Sequence, residues 1–504
     1  MISTLIFEGK KIPVFLQESV GTALRRGGIP LAMECGGRNR CGRCRITLIS
    51  GTFLIDGKVV RVSPEHPVTA NACAVRMTGC PGSAKFPADA IPPSLQDGPR
   101  IVLPDRLVPV FSGTAVALDI GTTNVAAALI EDGKIVRTAE RVNAQTRCGD
   151  NVIDRIAFST RPGGLEELKH ALVGETVDPL LRDLAAAPEK IEQIAAAGNT
   201  VMTHFFFGAD PSPMGHAPYI PARMEFSAAA GDCGLLGLPA ETPVFAADPV
   251  GGFIGGDVSA GLTVSGFGSK EARELYMDIG TNCEIVLNDR GRFTALSAAA
   301  GPAFERTGLR ADHNGNIRHI RFSGGKWLLE PDIAEPAGFC GTGLVDLLAE
   351  SGRNRFTDDF GKRRTDPRLP EKLSLSDAQT AELVTAKAAV ESALSVLFRQ
   401  TGASPADIEK VYLAGSFSEH LDLANGIYTG LLPDVPVTRF VKLGNASLAG
   451  AAAMLLDPEF RRRTQEWRRI TRHVEPAEDP DYAKIFASAM RIKRGEYPPC
   501  SNRN

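Results

Sequence analysis

Alternation of apolar and polar positions predicts a small β-rich domain at the start of the chain. Residues 3–7 and 11–15 alternate on either side of a Gly-Lys turn, which indicates a β-hairpin. Apolar residues then follow helical spacing over 19–26, and the two glycines that come next are a signal for the end of a helix. A loop rich in Gly and Cys precedes a further strand, predicted over 45–49. We assign residues 1–85 to this first domain.

The pattern changes twice further along the chain. Six prolines interrupt the periodicity of residues 86–112, which predicts an extended, semi-rigid linker. Residues 113–456 alternate buried strands, glycine turns and longer helices, as α/β domains do. Residues 457–504 are predicted to form a helical tail, and its basic run at 461–463 is interpreted as a solvated face.

A strand–turn–strand device occurs twice in the large region. Residues 117–124 read A-L-D-I-G-T-T-N, and residues 276–282 read Y-M-D-I-G-T-N. In each copy an apolar strand leads to an aspartate, and a glycine turn with hydroxyl and amide side chains follows. Such a repeat predicts two similar lobes that face each other. A third glycine turn follows another apolar strand within 411–417.

The composition is ordinary for a globular protein, and it does not favour nucleic acid or membrane as a partner. The 504 residues are 43% hydrophobic and carry a formal net charge of −3, which gives no argument for nucleic acid or an anionic membrane. No basic patch followed by an apolar run stands at the start of the chain. The longest apolar helical stretch, 383–398, contains Lys387 and Glu391 and is no bilayer span. We therefore expect a cytoplasmic protein that binds neither membrane nor nucleic acid.

A group of cysteines indicates a metal centre. Cys35, Cys41 and Cys44 form a C-x5-C-x2-C pattern, and Cys73 offers a fourth thiol beyond the next strands. In the cytoplasm such a group indicates metal binding instead of disulfides. A [2Fe–2S] cluster needs four thiolates, and glycines in the loop let backbone amides donate hydrogen bonds to the sulfurs. The cysteines and the preceding order of elements together predict a β-grasp, plant-type ferredoxin domain.

Two alternatives concern these cysteines. A structural zinc site usually pairs two short C-x2-C knuckles, whereas Cys73 and Cys80 are separated by six residues. Cys80 could replace Cys73 as fourth ligand, but Asn71-Ala72-Cys73 resembles the L-A-C segment of such ferredoxins and favours Cys73. Asn39-Arg40 departs from the more common Gly-Thr. The basic loop rim either receives an acidic partner or is simply solvated: Arg38, Arg40, Arg43 and Arg45.

The duplicated D-I-G-T segments indicate a nucleotide site. The chain has no G-x-x-x-x-G-K-[ST] and no strand-linked G-x-G-x-x-G, so neither a P-loop nor a dinucleotide fold is indicated. Each copy presents backbone N–H groups and threonine hydroxyls to phosphate, and its aspartate can hold Mg²⁺ directly or through water. The three glycine turns resemble the phosphate and adenosine motifs of the superfamily that contains actin, sugar kinases and the Hsp70 chaperones. The resemblance implies a two-lobed, ribonuclease H-like ATPase fold for residues 113–456.

Further segments resemble the ATPase domain of the reductive activators of corrinoid proteins. They are 143–145, 149–150, 198–200, 210–213, 255–257, 300–305 and 341–346. With the ferredoxin unit ahead of them, the resemblance covers nearly the whole chain. It implies an ATP-hydrolysing, multidomain α/β and α+β protein that passes an electron from a [2Fe–2S] cluster to inactive Co(II) corrinoid protein. Co(I) is thereby restored for a methyltransferase system, and an upstream donor must reduce the cluster.

The same resemblance implies the residues of the nucleotide site. The first phosphate loop comprises Asp119, Gly121, Thr122, Thr123 and Asn124, the second comprises Asp278, Gly280, Thr281 and Asn282, and the adenosine side comprises Gly341, Thr342, Gly343 and Gly415. Asp119, Asp257 and Asp278 are the candidate catalytic residues, and Asp257 is the candidate for positioning the attacking water. Longer activators carry a middle region, where this chain is expected to have only the linker. Their mode of dimerisation therefore does not transfer, and a homodimer stays open.

Two rival functions stay open at this stage. An ATP-driven donor to another low-potential enzyme would generally place a [4Fe–4S] cluster at a dimer interface, which a separate ferredoxin domain does not match. A small-molecule kinase with an accessory redox domain would need a sugar-kinase signature, and none is visible. His204 could coordinate cobalt, but a core histidine on a helix is the favoured interpretation, with Phe205, Phe206 and Phe207 as core residues.

Overall fold

The structure is a computed structural model of the 504-residue chain. It describes residues 2–15, 18–27, 29, 44–85, 96–97, 99, 101–149, 151–184, 187–301, 303, 316–332, 336, 338–364, 369, 373 and 375–492. Most of the predicted cluster loop, including Cys35 and Cys41, lies outside these residues. The strands of the described part form three large sheets, one in the N-terminal domain and one in each of two lobes.

The N-terminal domain is a mixed sheet with one helix. Its elements are β1 (Ile2–Phe7), β2 (Lys10–Phe15), α1 (Val20–Arg26), β3 (Arg45–Ile55), β4 (Lys58–Val62), β5 (Val68–Asn71), β6 (Val75–Met77) and β7 (Gly82–Lys85). β1 and β2 form the predicted hairpin, and β1 also pairs in parallel with β7, which gives the order β2-β1-β7-β3-β4. Alternate residues such as Leu5, Phe7 and Val14 pack with Leu24 of the helix in a buried core. The predicted hairpin and helix are confirmed.

The first lobe is built on a seven-stranded sheet. Its elements are β8 (Gln96–Asp97), β9 (Thr114–Ile120), β10 (Asn124–Glu131), β11 (Lys134–Val142), α2 (Val152–Ser159), α3 (Gly164–Leu172), α4 (Asp178–Leu184), β12 (Gln193–Gly198), α5 (Thr200–Phe207), β13 (Ser227–Ala229), α6 (Ala230–Cys233), β14 (Pro243–Ala246) and α7 (Gly256–Ser265). The strand order is β13-β14-β12-β9-β10-β11-β8. Because side chains alternate along β9, Val116 and Leu118 face one buried cluster while Ala115 and Ala117 face another.

The second lobe carries a six-stranded sheet of order β23-β22-β15-β16-β17-β24. Its elements are β15 (Arg273–Ile279), β16 (Cys283–Asp289), β17 (Arg292–Ala298), β18 (Asn316–Ile317), β19 (His319–Ser323), β20 (Lys326–Glu330), β21 (Gly338–Phe339), α8 (Gly341–Arg353), α9 (Asp377–Thr401), β22 (Lys410–Ala414), α10 (Ser416–His420), α11 (Leu423–Thr429), β23 (Phe440–Gly444), α12 (Ala446–Leu456), α13 (Pro458–Ile470), β24 (Thr471–His473) and α14 (Tyr482–Ala489). In the part of the chain that the structure describes, no helix combines the length and apolarity that a membrane crossing requires.

The two lobes repeat one sheet topology. The first contains the order β12-β9-β10-β11 and the second the order β22-β15-β16-β17. In both, the first two strands of the series pair in parallel and the following hairpins are antiparallel. The duplicated D-I-G-T turns therefore occupy equivalent positions, and the predicted internal repeat is confirmed.

Two helices cross between the lobes. α7 follows the strands of the first lobe, but its Val258 packs in the core of the second sheet. α12 follows β23 of the second sheet, but its Leu448 packs on Ala117 of the first sheet. The helices meet where a Cβ added to Gly450 would lie 2.4 Å from the carbonyl oxygen of Ala260. The absence of a side chain at this glycine therefore lets the two helices approach closely.

The predicted linker and tail both contact the lobes. The N–H of Val110 donates to the carbonyl of Leu456 at 2.9 Å, and β8 pairs with β11. On α13, the indole Nε1 of Trp467 donates to Thr263 Oγ1 at 3.0 Å. The guanidinium of Arg461 lies 3.8 Å from the centre of the Phe245 ring. The domain boundaries predicted at residues 85, 112 and 456 stay predictions.

Candidate nucleotide site and cluster cysteines

The first D-I-G-T turn joins β9 to β10 and is held from behind by Asn143. The side-chain Nδ2 of Asn143 donates to the carbonyl of Gly121 at 2.9 Å, and its backbone N–H donates to the carbonyl of Thr123 at 2.8 Å. Asn143 itself is fully buried. The turn is therefore fixed by an interior residue and not by its own strands alone.

The second turn joins β15 to β16 and contacts the third glycine turn. The N–H of Gly280 donates to the carbonyl of Asn282 at 2.8 Å. Gly415 directly follows β22 and has φ +87°, and a Cβ there would lie 2.8 Å from the carbonyl oxygen of Ile279 and 2.9 Å from Asp278 Oδ1. Glycine is required at this position because the backbone is left-handed and the space is occupied. The structure thus brings Gly415 against the second loop, and its predicted place on the adenosine side stays a prediction.

Four carboxylates from four elements lie near one another beside the two loops. Asp119 is the penultimate residue of β9, Asp257 lies in the first turn of α7, and Asp278 stands directly opposite Glu284 in the β15–β16 pair. Withdrawal from water, with Asp257 and Asp119 as like charges, raises the pKa of Asp278 to about 8. Withdrawal from water, with Asp119 as a like charge, raises the pKa of Asp257 to about 7. The pKa values of Glu284 and Asp119 are also raised, mainly by burial.

These four acids fit a site that is completed by a cation. No lysine or arginine of the described ranges forms an ion pair with any of them, so no cationic side chain of those ranges offsets their mutual repulsion. Over the same ranges, no three His, Cys, Asp or Glu side chains converge closely enough to enclose an ion by themselves. Mg²⁺ usually takes one or two carboxylates and completes its shell with water and phosphate oxygens. The residues therefore fit a magnesium–nucleotide complex better than a bare metal site.

Asp119 also connects the first lobe to the start of α12. Its Oδ2 accepts from Asn445 Nδ2 at 2.8 Å, and its Oδ1 accepts from Ser447 Oγ at 2.7 Å. Asn445 is in turn the N-cap of α12, accepting the N–H of Leu448 at 2.8 Å. A carboxylate at the N-terminus of a helix is electrostatically favoured. The Asp119 carboxylate is therefore oriented by α12, a helix that crosses between the lobes.

The predicted adenosine side lies at the start of α8. A Cβ on Gly343 would lie 2.4 Å from the carbonyl oxygen of Ile317, so the first turn of α8 is pressed against β18. Thr342 Oγ1 donates to the carbonyl of Arg318 at 2.8 Å. α8 also contacts α10, the helix that Gly415 precedes. The structure thus brings residues 341–343 and Gly415 into one region of the second lobe.

Replacing Gly415 with alanine is expected to lower ATP affinity by about tenfold or more, because the new Cβ would displace Asp278 and the second loop. Gly402 offers a matched control, since it has φ +70° but nothing within 4 Å of a Cβ. Gly402→Ala should lower thermal stability only. Equal ATP affinity for both variants in calorimetric titration would contradict the assignment of Gly415 to the site.

Two of the predicted cluster ligands meet in the N-terminal domain. Cys44 immediately precedes β3 and Cys73 lies in the short turn Ala72–Ala74, and both are buried. The N–H of Cys73 points at the sulfur of Cys44 across 3.5 Å, and the N–H of Ala72 donates to the carbonyl of Cys44 at 2.7 Å. Amide donors directed at sulfur are typical of cluster thiolates. The described cysteines therefore fit an iron–sulfur centre, whereas Cys80 is exposed in the loop before β7.

His204 is a core histidine of α5. Its Nδ1 lies 2.7 Å from the carbonyl of Thr200, and its Nε2 accepts the N–H of Arg223 at 3.3 Å. The ring is fully buried, and burial lowers its pKa. Phe205 and Phe206 are buried beside it. Both ring nitrogens are engaged, so the structure favours the packing interpretation over a cobalt ligand.

Sequence reasoning missed Glu284 as a member of the acidic cluster. It lies six residues after Asp278, and both side chains project from the same face of the β15–β16 pair. The sequence did offer a signal for this residue: a glutamate stands two residues after the turn, in a segment with the pattern of a buried strand. The three predicted aspartates lie near one another in the structure, and their catalytic roles stay predictions.

Three family profiles match the chain in succession. Residues 7–78 match the 2Fe-2S iron–sulfur cluster binding domain, residues 114–270 match the RACo middle region, and residues 272–502 match the C-terminal domain of RACo, the ASKHA domain. The expectation that only a linker stands in place of the middle region is therefore wrong. The segment that matches this region is the first lobe itself, which sequence reasoning had assigned to the ATPase unit.

Individual relatives agree with these profiles. The corrinoid activation enzyme RamQ of Eubacterium limosum is 28% identical over 412 residues, which cover 74% of this chain and 69% of RamQ. The [Co(II) methylated amine-specific corrinoid protein] reductase of Methanosarcina barkeri is 23% identical over 397 residues, which cover 68% of this chain and 70% of the reductase.

A solved structure shares the whole fold. The reductive activator for corrinoid, iron-sulfur protein has a TM-score of 0.69 to this chain at 24% identity, covering 97% of this chain and 98% of the activator. At that identity the likeness shows the fold. The three consecutive profiles confirm the resemblance to the reductive activators of corrinoid proteins that was drawn from the motifs: a 2Fe-2S domain is followed by a segment like the RACo middle region and by a segment like the ASKHA domain of RACo.

Proposed function

We propose that the chain is an ATP-dependent reductive activator, which transfers one electron from a [2Fe–2S] cluster to an inactive Co(II) corrinoid protein and restores Co(I). The observation that supports the proposal is the presence, in one chain, of the Cys44–Cys73 pair and of buried carboxylates beside the two D-I-G-T turns. The names of the two relatives, a corrinoid activation enzyme and a corrinoid protein reductase, support the choice of partner.

Cys35, Cys41, Cys44 and Cys73 would hold the cluster, which supplies one-electron reduction. Cys44 and Cys73 already lie in the buried core of the domain. Their burial excludes water from the sulfurs, and the N–H of Cys73 offers a hydrogen bond that stabilises negative charge there. An upstream donor must reduce the cluster, and the proposed location is the cytoplasm, where thiols stay reduced.

The two loops would hold the phosphates of ATP through the backbone N–H groups of 121–124 and 280–282, together with Thr122, Thr123 and Thr281. Asp119 and Asp278 would hold Mg²⁺ directly or through water. The carboxylate of Asp257, whose pKa is raised to about 7, would take the proton of the water that attacks the γ-phosphorus. The start of α8 and Gly415 would hold the adenosine.

ATP is needed because cobalt reduction is uphill. Plant-type clusters have potentials near −400 mV, and a one-electron shortfall of ~100 mV costs roughly 2.3 kcal/mol. A nucleotide can offset a difference of that size if it binds more tightly to the lobe arrangement that accepts the Co(II) partner. The loops lie on different lobes, so a nucleotide that contacts both would favour one arrangement of the lobes.

The test uses anaerobically reconstituted, chemically reduced protein and the Co(II) form of a corrinoid protein encoded beside a methyltransferase. We expect Co(I) absorbance to appear with Mg-ATP, and to be at least about tenfold slower with AMPPNP or without nucleotide. Co(I) formation at the same rate without ATP would contradict the ATP dependence. Failure with every co-encoded corrinoid protein, or ATP turnover that depends on an added sugar, would favour a rival function.

A further inference from the structure

A buried arginine lies directly behind the first phosphate loop. Arg155, in α2, is the largest fully buried side chain of the described residues. Its Nη2 donates to the carbonyl of Thr122 at 2.7 Å, and its Nε donates to the carbonyl of Gly149 at 3.1 Å. Its Nη1 donates to Gln145 Oε1 at 3.1 Å and contacts Met202 Sδ at 3.3 Å. The guanidinium is therefore held in one orientation from several sides.

Arg155 completes a set of contacts that Asn143 begins. Asn143 donates hydrogen bonds to the carbonyls of Gly121 and Thr123. Arg155 donates one to the carbonyl between them, that of Thr122. In a trans peptide the C=O and the following N–H point in opposite directions. With three successive carbonyls turned towards Asn143 and Arg155, the N–H groups of residues 122–124 point to the opposite side of the loop.

The surroundings of the two loops differ in charge although their sequences match. The first loop has the Asp119 carboxylate beside it and also a guanidinium within hydrogen-bond distance of its central carbonyl. The second has the carboxylates of Asp278 and Glu284 beside it, and Asp257 interacts with the aspartates of both loops. Phosphate is an anion, so its binding is favoured by a fixed positive charge and opposed by carboxylates that no cation neutralises. The first loop is therefore the better anion site of the two.

Burial of a guanidinium is costly, since the charge loses its hydration. An apolar residue of similar size would fill the same space between α2 and the loop without that cost. The arginine gives what an apolar residue cannot, a donor to the Thr122 carbonyl and a positive charge under the loop. The segment 143–155, which the phosphate motifs themselves do not include, thereby acquires a physical role.

We propose that Arg155 is the positioning residue of the first phosphate loop: it orients the backbone N–H groups of 122–124 towards the phosphates and supplies the positive charge behind them. The inference rests on the proposed nucleotide function and adds a residue that would act through the loop backbone and not by direct contact with the nucleotide or the metal. It predicts a specific loss of affinity for the polyphosphate, with the adenosine contacts of the second lobe unaffected.

The test compares Arg155→Met with the wild-type chain by calorimetric titration with Mg-AMPPNP and with adenosine. We expect the AMPPNP affinity to fall by about 10–100-fold and the adenosine affinity to change by less than about twofold. Arg155→Lys, which keeps the charge but not the forked donor geometry, should lose less and should raise the KM for ATP more than it lowers kcat. Arg161→Met, just beyond the same helix and exposed, is the control and should bind as wild type does.

The outcomes separate this inference from the proposed function. If the wild-type chain binds neither AMPPNP nor ATP, the nucleotide function itself fails. If the wild type binds AMPPNP and the Arg155 variants bind it equally well, or lose AMPPNP and adenosine alike, the positioning role is wrong. Should Arg155→Met fail to fold, Arg155→Lys carries the test, and an unchanged AMPPNP affinity in that variant overturns the proposal.

Discussion

Replacement of Asp278 with asparagine is expected to abolish ATP turnover and, in the absence of nucleotide and metal, to raise the thermal midpoint by a few degrees. Turnover should fall by about 100-fold or more, because the second loop would lose its carboxylate for Mg²⁺. The midpoint should rise because Asp278 faces Asp257, Asp119 and Glu284 without a compensating lysine or arginine in the described part of the chain. Asparagine keeps the shape and removes one of the repelling charges.

The pH dependence of this stabilisation has a defined sign. The pKa of Asp278 is raised to about 8 in the folded chain, so the folded state binds the proton more tightly than the unfolded state does. The penalty from Asp278 is absent below the unfolded pKa, roughly 3.9. It grows as the pH rises from about 4 and is complete above about 8. The advantage of Asp278→Asn should therefore be small near pH 4 and largest at and above pH 8.

Asp289 at the other end of β16 provides a control of opposite sign. Hydrogen bonding to Arg273 lowers its pKa, and Arg292 also pairs with it. A lowered pKa means that the contribution to stability is present above the unfolded pKa and is lost as the pH falls through the folded one. Asp289→Asn should lower the midpoint at pH 7 and leave ATP turnover unchanged. If calorimetry in EDTA shows Asp278→Asn to be less stable than wild type, the account of the acidic cluster is wrong.

Replacement of Cys73 with serine is expected to remove the [2Fe–2S] absorbance and to lower ATP-dependent Co(I) formation by about 100-fold or more, since a plant-type cluster needs four thiolates. Basal ATP turnover should stay within about twofold of wild type, because the cysteine belongs to the core of the N-terminal domain and not to the lobes. Absorbance and ATP turnover of the same reconstituted preparation provide the two readouts.

Cys80→Ser is the matched control for this experiment. Cys80 is exposed, and its carbonyl accepts the hydroxyl of Ser3 at 2.8 Å, a contact that serine at position 80 preserves. The variant should keep the absorbance, the electron paramagnetic resonance signal and Co(I) formation. If Cys80→Ser lost the cluster and Cys73→Ser kept it, Cys80 would be the fourth ligand. That result would contradict the role given to the Cys44–Cys73 contact.

Local patterns predicted the parts of the fold that local sequence determines. The hairpin over residues 2–15 follows from alternation around one turn, and the equivalence of the two lobes follows from a repeated strand, aspartate and glycine turn. Gly415 could be recognised as a turn residue because a glycine follows an apolar strand there, and its φ of +87° agrees with a turn that needs glycine. Its place in the nucleotide site stays a prediction.

Other site residues could not be predicted because their roles depend on long-range packing. Arg155 would be interpreted as a solvated residue from sequence, since arginine is almost never fully buried. Its burial arises only when α2 packs behind a turn that lies 33 residues earlier. The bonds from Asn445 and Ser447 to Asp119 span more than 320 residues and join separate lobes. The match of the first lobe to the RACo middle region could not be recognised from the sequence, because the strands of the first lobe resemble those of the second.

Because α7 and α12 each pack on the sheet of the opposite lobe, the two lobes should depend on each other for folding. Each sheet takes its covering helix from the part of the chain that belongs to the other, so an isolated lobe would leave a face of alanine and valine side chains in contact with water. The halves should then unfold in a single transition, and neither should be obtainable as a stable fragment. Movement between them should then take the form of sliding along the seam at Gly450, because wide separation would uncover both sheets at once.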